Sequence, residues 1–128
     1  MIWLVSKNKH KMFEKLKNTL LESGYQVVLT DNVTRGQGKA RGVKGYIVPD
    51  DLRIYINKRI GVNDRVETLI HELLHEIYPI WGEQRVNKSA KKAFKDLTVS
   101  QLGFLQFFIM APTEIKQMLK ANHLSPIC

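Results

Sequence analysis

Residues 64–79, DRVETLIHELLHEIYP, decide how this chain reads. Val66, Leu69, Ile70, Leu73, Leu74 and Ile77 recur at helical spacing and form one apolar stripe. The stretch predicts a helix from about Asn63 to Tyr78, ended by Pro79, which has no N–H to offer a helix interior. Asp64, with Glu67 three residues on, has the pattern of a capping box. At about 100° per residue, His71 and His75 fall together on the side away from the stripe, one turn apart. Two neutral imidazoles so placed can take two corners of a tetrahedral zinc. Glu72 lies beside the pair but rotated off it, where a carboxylate reaches a metal-held water without ligating and can take its proton. Fixed positions of this kind arise by chance in about a few chains per thousand of this length, and two surface histidines on an ordinary helix are the bland alternative.

A catalytic zinc takes a third protein ligand and keeps one position open. Glu76 adjoins His75 but points about 100° round the helix. Glu83 is better placed: after Pro79, Trp81-Gly82 make a turn and Glu83 opens a helix running to about Asp96. On that helix Val86, Ala90, Ala93, Phe94 and Leu97 form the inward stripe, and Glu83 falls in line with it. An acid there needs a partner, which an ion held by the preceding helix supplies; a favourable helix dipole is the other account. Asn87, one turn on, can hydrogen-bond the outer nitrogen of His71 or His75, or steady Glu83. Glu67, one turn before His71, can support an imidazole in the same way, though capping alone accounts for it. One Zn2+ per chain is the cofactor these residues lead us to expect.

TLIHELLHEIYP followed by EQRVNKSA resembles the gluzincin-type HExxH zinc metallopeptidases, in the compact form of minigluzincins and of phage-type and ImmA/IrrE-type peptidases. The resemblance implies a zinc metalloendopeptidase, a hydrolase acting on a protein or peptide substrate. It implies His71, His75 and Glu83 as metal ligands, Glu72 as general base, and Asn87 in the Asp/Asn position that follows the ligand glutamate. It further implies an edge strand, within Leu52 to Ile56, that takes the substrate as an added strand. Tyr78, Arg85 and His123 are candidates for the group that meets negative charge developing on the substrate oxygen. The seven residues between His75 and Glu83 are fewer than in the large gluzincins, so a tight turn must carry the geometry. No Gly-x-x-His follows His75, so the metzincin pattern is absent. A SprT-like protease acting on DNA-bound proteins is a rival, but that resemblance wants a third histidine downstream and a separate zinc module, and the sole cysteine is Cys128.

Around this core, the 128 residues are 44% hydrophobic and 25% charged, which excludes a collagen-like, coiled-coil-only or largely disordered chain. One domain, 1–128, is expected. Lys and Arg number 20 against 12 Asp and Glu, a charge of +8 that favours acidic partners or nucleic acid. Four basic residues, Arg35, Lys39, Arg41 and Lys44, sit in the glycine-rich stretch Asp31–Gly45, read as a solvated hairpin loop or as a surface for an anionic partner. The second functional reading follows from it: a zinc-stabilised module that binds nucleic acid and cleaves weakly or not at all. The densest apolar stretch, Leu102–Ala111, is interrupted by Gln106 and too short to span a bilayer. With no targeting segment and a single cysteine, a cytoplasmic protein with no membrane attachment is expected.

The remaining elements read as a strand at Ile2–Val5, a helix at Lys11–Ser23 stopped by Gly24, and strands at Tyr25–Thr30, Tyr46–Val48 and Leu52–Ile56. Helices follow around Ser100–Met110 and Thr113–Ala121, within about 98–122, packed on the catalytic helices or forming a partner surface. The order is that of an α+β fold: one compact zincin-like domain whose small mixed or antiparallel sheet packs on the HExxH helix.

Overall fold

The computed structural model describes residues 2–31 and 44–110. In chain order these form α1 (Ile2–Glu22), β1 (Gln26–Thr30), β2 (Gly45–Val48), β3 (Arg53–Asn57), α2 (Val62–Ile77), α3 (Glu83–Lys95) and α4 (Val99–Phe108). The fold is a mixed α+β arrangement of four helices and a three-stranded sheet among the described residues. None of the described helices is long and apolar enough to cross a membrane. The expected helix at Thr113–Ala121, the loop residues Arg35, Lys39 and Arg41, and His123 lie outside the described residues.

Two expected beginnings differ from the structure. Ile2–Val5 is not a strand but the first turn of α1, which runs unbroken to Glu22. A four-residue apolar run carries no periodicity of its own, so it follows whatever element it adjoins. Gly24 then stops the helix at φ +82°, a left-handed conformation that costs glycine least. The second difference is the start of α2. Gly61, in extended backbone, is its N-cap and accepts from Arg65 N–H at 2.9 Å, with no side-chain cap. Asp64 is therefore inside the first turn, not the cap, and Glu67 closes no box. Both carboxylates face lysines instead: Asp64 meets Lys44 Nζ at 3.1 Å and Glu67 meets Lys91 Nζ at 3.3 Å. A true capping box occurs at Thr98 and Gln101 on α4, within a Thr-Val-Ser-Gln stretch that carries the same sequence pattern.

The sheet order is β1–β3–β2, with β1 parallel and β2 antiparallel to β3. The Leu52–Ile56 segment expected at the edge is thus the central strand. Its alternation explains why: Ile54 and Ile56 have no exposed surface and drive β3 under α2, between two half-buried neighbours. Among the described residues, the edge strand on the α2 side is β2. Asn57 N–H donates to Lys44 C=O at 2.8 Å, so ladder alternation turns the Lys44, Tyr46 and Val48 groups toward β3 and those of Gly45 and Ile47 outward. Gly45 is needed there: a Cβ would come within 2.7 Å of both Thr68 Cγ2 and the Tyr55 carbonyl, so a side chain would push β2 off α2. Pro49 falls in the short 3-10 turn Pro49–Asp51 between β2 and β3, out of the ladder as its missing N–H requires.

The stripe read from the sequence is the centre of the core. Val66, Leu69, Ile70, Leu73 and Leu74 are fully buried, against Leu16 of α1, Ile54 and Ile56 of β3, and Val86 and Ala90 of α3. Leu105 and Ile109 are buried in the same core, with Phe104 edge-on to Phe13 at 5.8 Å, so burial accounts for the apolar α4 segment. Arg65 is 6% exposed in this apolar setting. Its Nη1 donates to Ile109 C=O at 3.0 Å and its Nη2 to Lys58 C=O at 2.8 Å, tying the end of α4 to the loop before α2.

Tyr25, just before β1, is buried and donates its hydroxyl to Glu76 Oε1 at 2.9 Å. Burial, aided by the Glu76 carboxylate, pushes its pKa from 10 up to about 12. The folded state therefore holds the Tyr25 proton more tightly than the unfolded chain does. The resulting stabilisation is complete below pH 10 and is lost as pH rises toward 12. Tyr25→Phe should flatten the fall in melting temperature across that interval, as measured by thermal unfolding at successive pH values.

Candidate metal centre

The backbone between the two helices brings three ligand atoms together. Tyr78 leaves helical geometry at φ −125°, ψ 70°, while its N–H still bonds to Leu74 C=O at 2.8 Å. Trp81 N–H returns to Tyr78 C=O at 3.0 Å, and Gly82 caps α3, accepting from Val86 N–H at 3.1 Å. Glu83 is thus the first residue of α3 and is turned back toward α2. Its Oε2 lies 2.9 Å from His71 Nε2 and its Oε1 3.0 Å from His75 Nε2, and the two Nε2 atoms are 3.1 Å apart. The acid is not buried as its line with Val86 suggests: its side chain is 65% exposed, at the rim of the inward face.

The geometry fits an ion. With metal–ligand bonds of about 2.0–2.1 Å, the edges of a tetrahedral site are about 3.3 Å long. That is close to the 3.1 Å between the two imidazole nitrogens, and a Glu83 oxygen stands 2.9 Å from one and 3.0 Å from the other. Hydrogen bonding leaves one of these contacts unmade: when each Nε2–H donates to its own Glu83 oxygen, the two nitrogens 3.1 Å apart are both donors and have no acceptor between them. Two imidazoles and a carboxylate are a donor set suited to zinc and its neighbours. His71, His75 and Glu83 can therefore hold a metal ion, each through one atom, all within 4.8 Å of one another. Burial lowers the His71 pKa, against the raising effect of the Glu83 carboxylate. That favours the neutral imidazole that a ligand must be.

Glu72 is 7% exposed and faces the same cleft, without a hydrogen-bond partner among the described residues. Burial, with the Glu83 charge nearby, pushes its carboxyl up to about 7. The cleft holds about 330 Å³ and runs from the imidazole of His71 to the start of β2. Asp64, Thr68, Lys44 and Gly45 line its sheet side; Glu67, Asn87 and Lys91 line the α3 side.

Comparison with known protein families, curated proteins and solved structures finds no match to this chain.

The other expected residues separate into those near the cleft and those away from it. Asn87 lines the cleft but makes no hydrogen bond to His71, His75 or Glu83. Glu67 also lines it, yet its carboxylate bonds to Lys91 rather than to an imidazole. Tyr78 and Arg85 do not line it. The Tyr78 hydroxyl accepts from Lys15 Nζ at 2.7 Å, its ring lies flat on Trp81 at 3.9 Å, and the Arg85 guanidinium covers the other face of the turn at 4.2 Å from the Trp81 ring. Both are spent on holding the turn. Lys44, of the basic loop, is drawn into the cleft wall by Asp64. Sequence reading missed Gly45, Thr68 and Lys91 as cleft residues. Only the Thr68 position, one turn before Glu72 on α2, carried any signal.

Proposed function

We propose that the chain is a zinc-dependent metalloendopeptidase of zincin-like fold. The observation that carries this reading is Glu72, a carboxylate on a residue 7% exposed, with no hydrogen-bond partner among the described residues, set beside three converging ligand atoms. Burying an unpartnered acid costs stability, and a zinc that only braces the fold has no use for one.

A zinc ion at His71, His75 and Glu83 supplies Lewis acidity, polarising a peptide carbonyl and lowering the pKa of a water to about 7. Glu72 takes the proton of the attacking water on its carboxylate and passes a proton to the leaving amine nitrogen. Its partial desolvation disfavours the charged form and so favours proton capture. The outward N–H and C=O groups of Gly45 and Ile47 offer an extended substrate the ladder that the family resemblance leads one to expect at Leu52–Ile56. Asn87, which lines the cleft and whose amide has no hydrogen-bond partner among the described residues, is a donor available for negative charge on the substrate oxygen.

The purified chain should take up one Zn2+, hydrolyse unfolded polypeptide, stop when a chelator is added and resume when zinc is restored. His75→Ala should abolish both uptake and hydrolysis. Uptake that survives His75→Ala, or hydrolysis indifferent to the chelator, overturns the reading.

A further inference from the structure

Glu83 is the weakest-anchored member of the ligand trio. It is 65% exposed, its only hydrogen-bonding contacts among the described residues are the two imidazoles, and Gly82 caps its helix without a side-chain bond. Its place is therefore set by the backbone of the turn. That turn carries four interlocked side chains. Lys15 of α1 donates to the Tyr78 hydroxyl, Tyr78 and Trp81 stack within 4° of parallel, and Arg85 lies over the Trp81 ring. Trp81 stands two residues before Glu83 and Arg85 two after it, so the Trp81–Arg85 contact spans the ligand. Tyr78 joins the same ladder to the end of α2, the helix that holds His71 and His75.

We infer that Trp81 is a positioning residue: its stack with Tyr78 and Arg85 fixes the short connection so that Glu83 reaches the ion held by His71 and His75. The inference rests on the metal-binding reading above. Without the stack, the connection from α2 to α3 keeps its two anchored ends, Tyr78 N–H on Leu74 C=O and Val86 N–H on Gly82 C=O, and a single hydrogen bond inside the turn, from Trp81 N–H to Tyr78 C=O, to set its path. An ion then meets two pre-placed imidazoles and must order the acid itself. Groups that orient a metal ligand in this indirect way are worth about tenfold to a hundredfold in affinity.

The test is Co2+ and Zn2+ affinity by chelator competition, with the visible Co2+ spectrum as a report of the ligand set. Trp81→Ala should weaken binding about tenfold to a hundredfold and shift the spectrum toward that of Glu83→Ala. In a Glu83→Ala background the same Trp81→Ala change should cost nothing further, because the positioned group is gone. Trp81→Phe, which keeps a ring on Tyr78, should restore most of the affinity. Should Trp81→Ala fail to fold, Arg85→Gln serves in the same cycle, with a smaller loss that also vanishes without Glu83. Unchanged affinity, or the same fold-loss with and without Glu83, overturns the inference. Uptake that survives His71→Ala or His75→Ala instead overturns the metal-binding reading on which it rests.

Discussion

Glu72→Gln should lower peptide hydrolysis by about a hundredfold to ten-thousandfold while zinc uptake stays at the wild-type level. The amide keeps the volume and trigonal shape of the carboxylate, so the buried site at 7% exposure need not repack. What it loses is the ability to accept a proton from water. The ligand atoms belong to His71, His75 and Glu83, so removing the Glu72 charge leaves the donor set whole. Each tenfold in rate corresponds to about 1.4 kcal/mol of barrier, so the expected loss is about 3–5 kcal/mol, more than a change in substrate fit would produce. Turnover of a reporter peptide and zinc content of the same sample are the two measurements. Hydrolysis within about threefold of wild type at full zinc loading would remove Glu72 from the chemistry. The reading of the cleft as catalytic would go with it.

The largest stability effect is expected far from the cleft. Arg65→Met should cost about 3 kcal/mol and lower the melting temperature by about 10 °C. Methionine fills the space of the aliphatic stem, so packing loss is small. Two carbonyls then lose their donor, that of Ile109 in a buried setting and that of Lys58 in a partly buried one. Each orphaned group costs about 1–3 kcal/mol, a large share of the 5–15 kcal/mol that holds a domain folded. Because Arg65 ties the end of α4 to the loop ahead of α2, its removal should also release α4 from the core, read as faster amide exchange at Leu105 and Ile109. A melting temperature within about 2 °C of wild type would show those carbonyls to be satisfied otherwise.

Most of the secondary structure was legible from the chain, because apolar periodicity and breakers are local properties. The α2 stripe, the stop at Gly24, the break at Pro79 and the start of α3 at Glu83 all lie where spacing and backbone chemistry put them. What failed, failed where the signal was too short or was shared between meanings. Ile2–Val5 has no period with which to tell strand from helix. Asp64 and Glu67 have cap spacing, yet Lys44 and Lys91, distant in sequence, bond to them instead. Arg65 reads as an ordinary polar helix residue, and nothing local reveals that two carbonyls from other segments await its guanidinium.

The same division runs through the candidate site. The pairing of His71 with His75, and the offset of Glu72 beside them, are consequences of helical pitch alone, so the sequence determined them. The closure of the trio by Glu83 depends on how sharply α3 folds back, and the stacked Tyr78, Trp81 and Arg85 take part in that turn rather than in the cleft. Strand order is likewise a tertiary matter. An alternating pattern marks Ile54 and Ile56 as buried, but burial on one face does not tell a central strand from an edge. Only the arrival of β1 on one side and β2 on the other makes β3 the centre and leaves the Gly45–Val48 edge beside α2. Intrahelical geometry is written in covalent structure and hydrogen-bond pitch. Which segments become neighbours is decided by the joint burial of surfaces far apart in the chain.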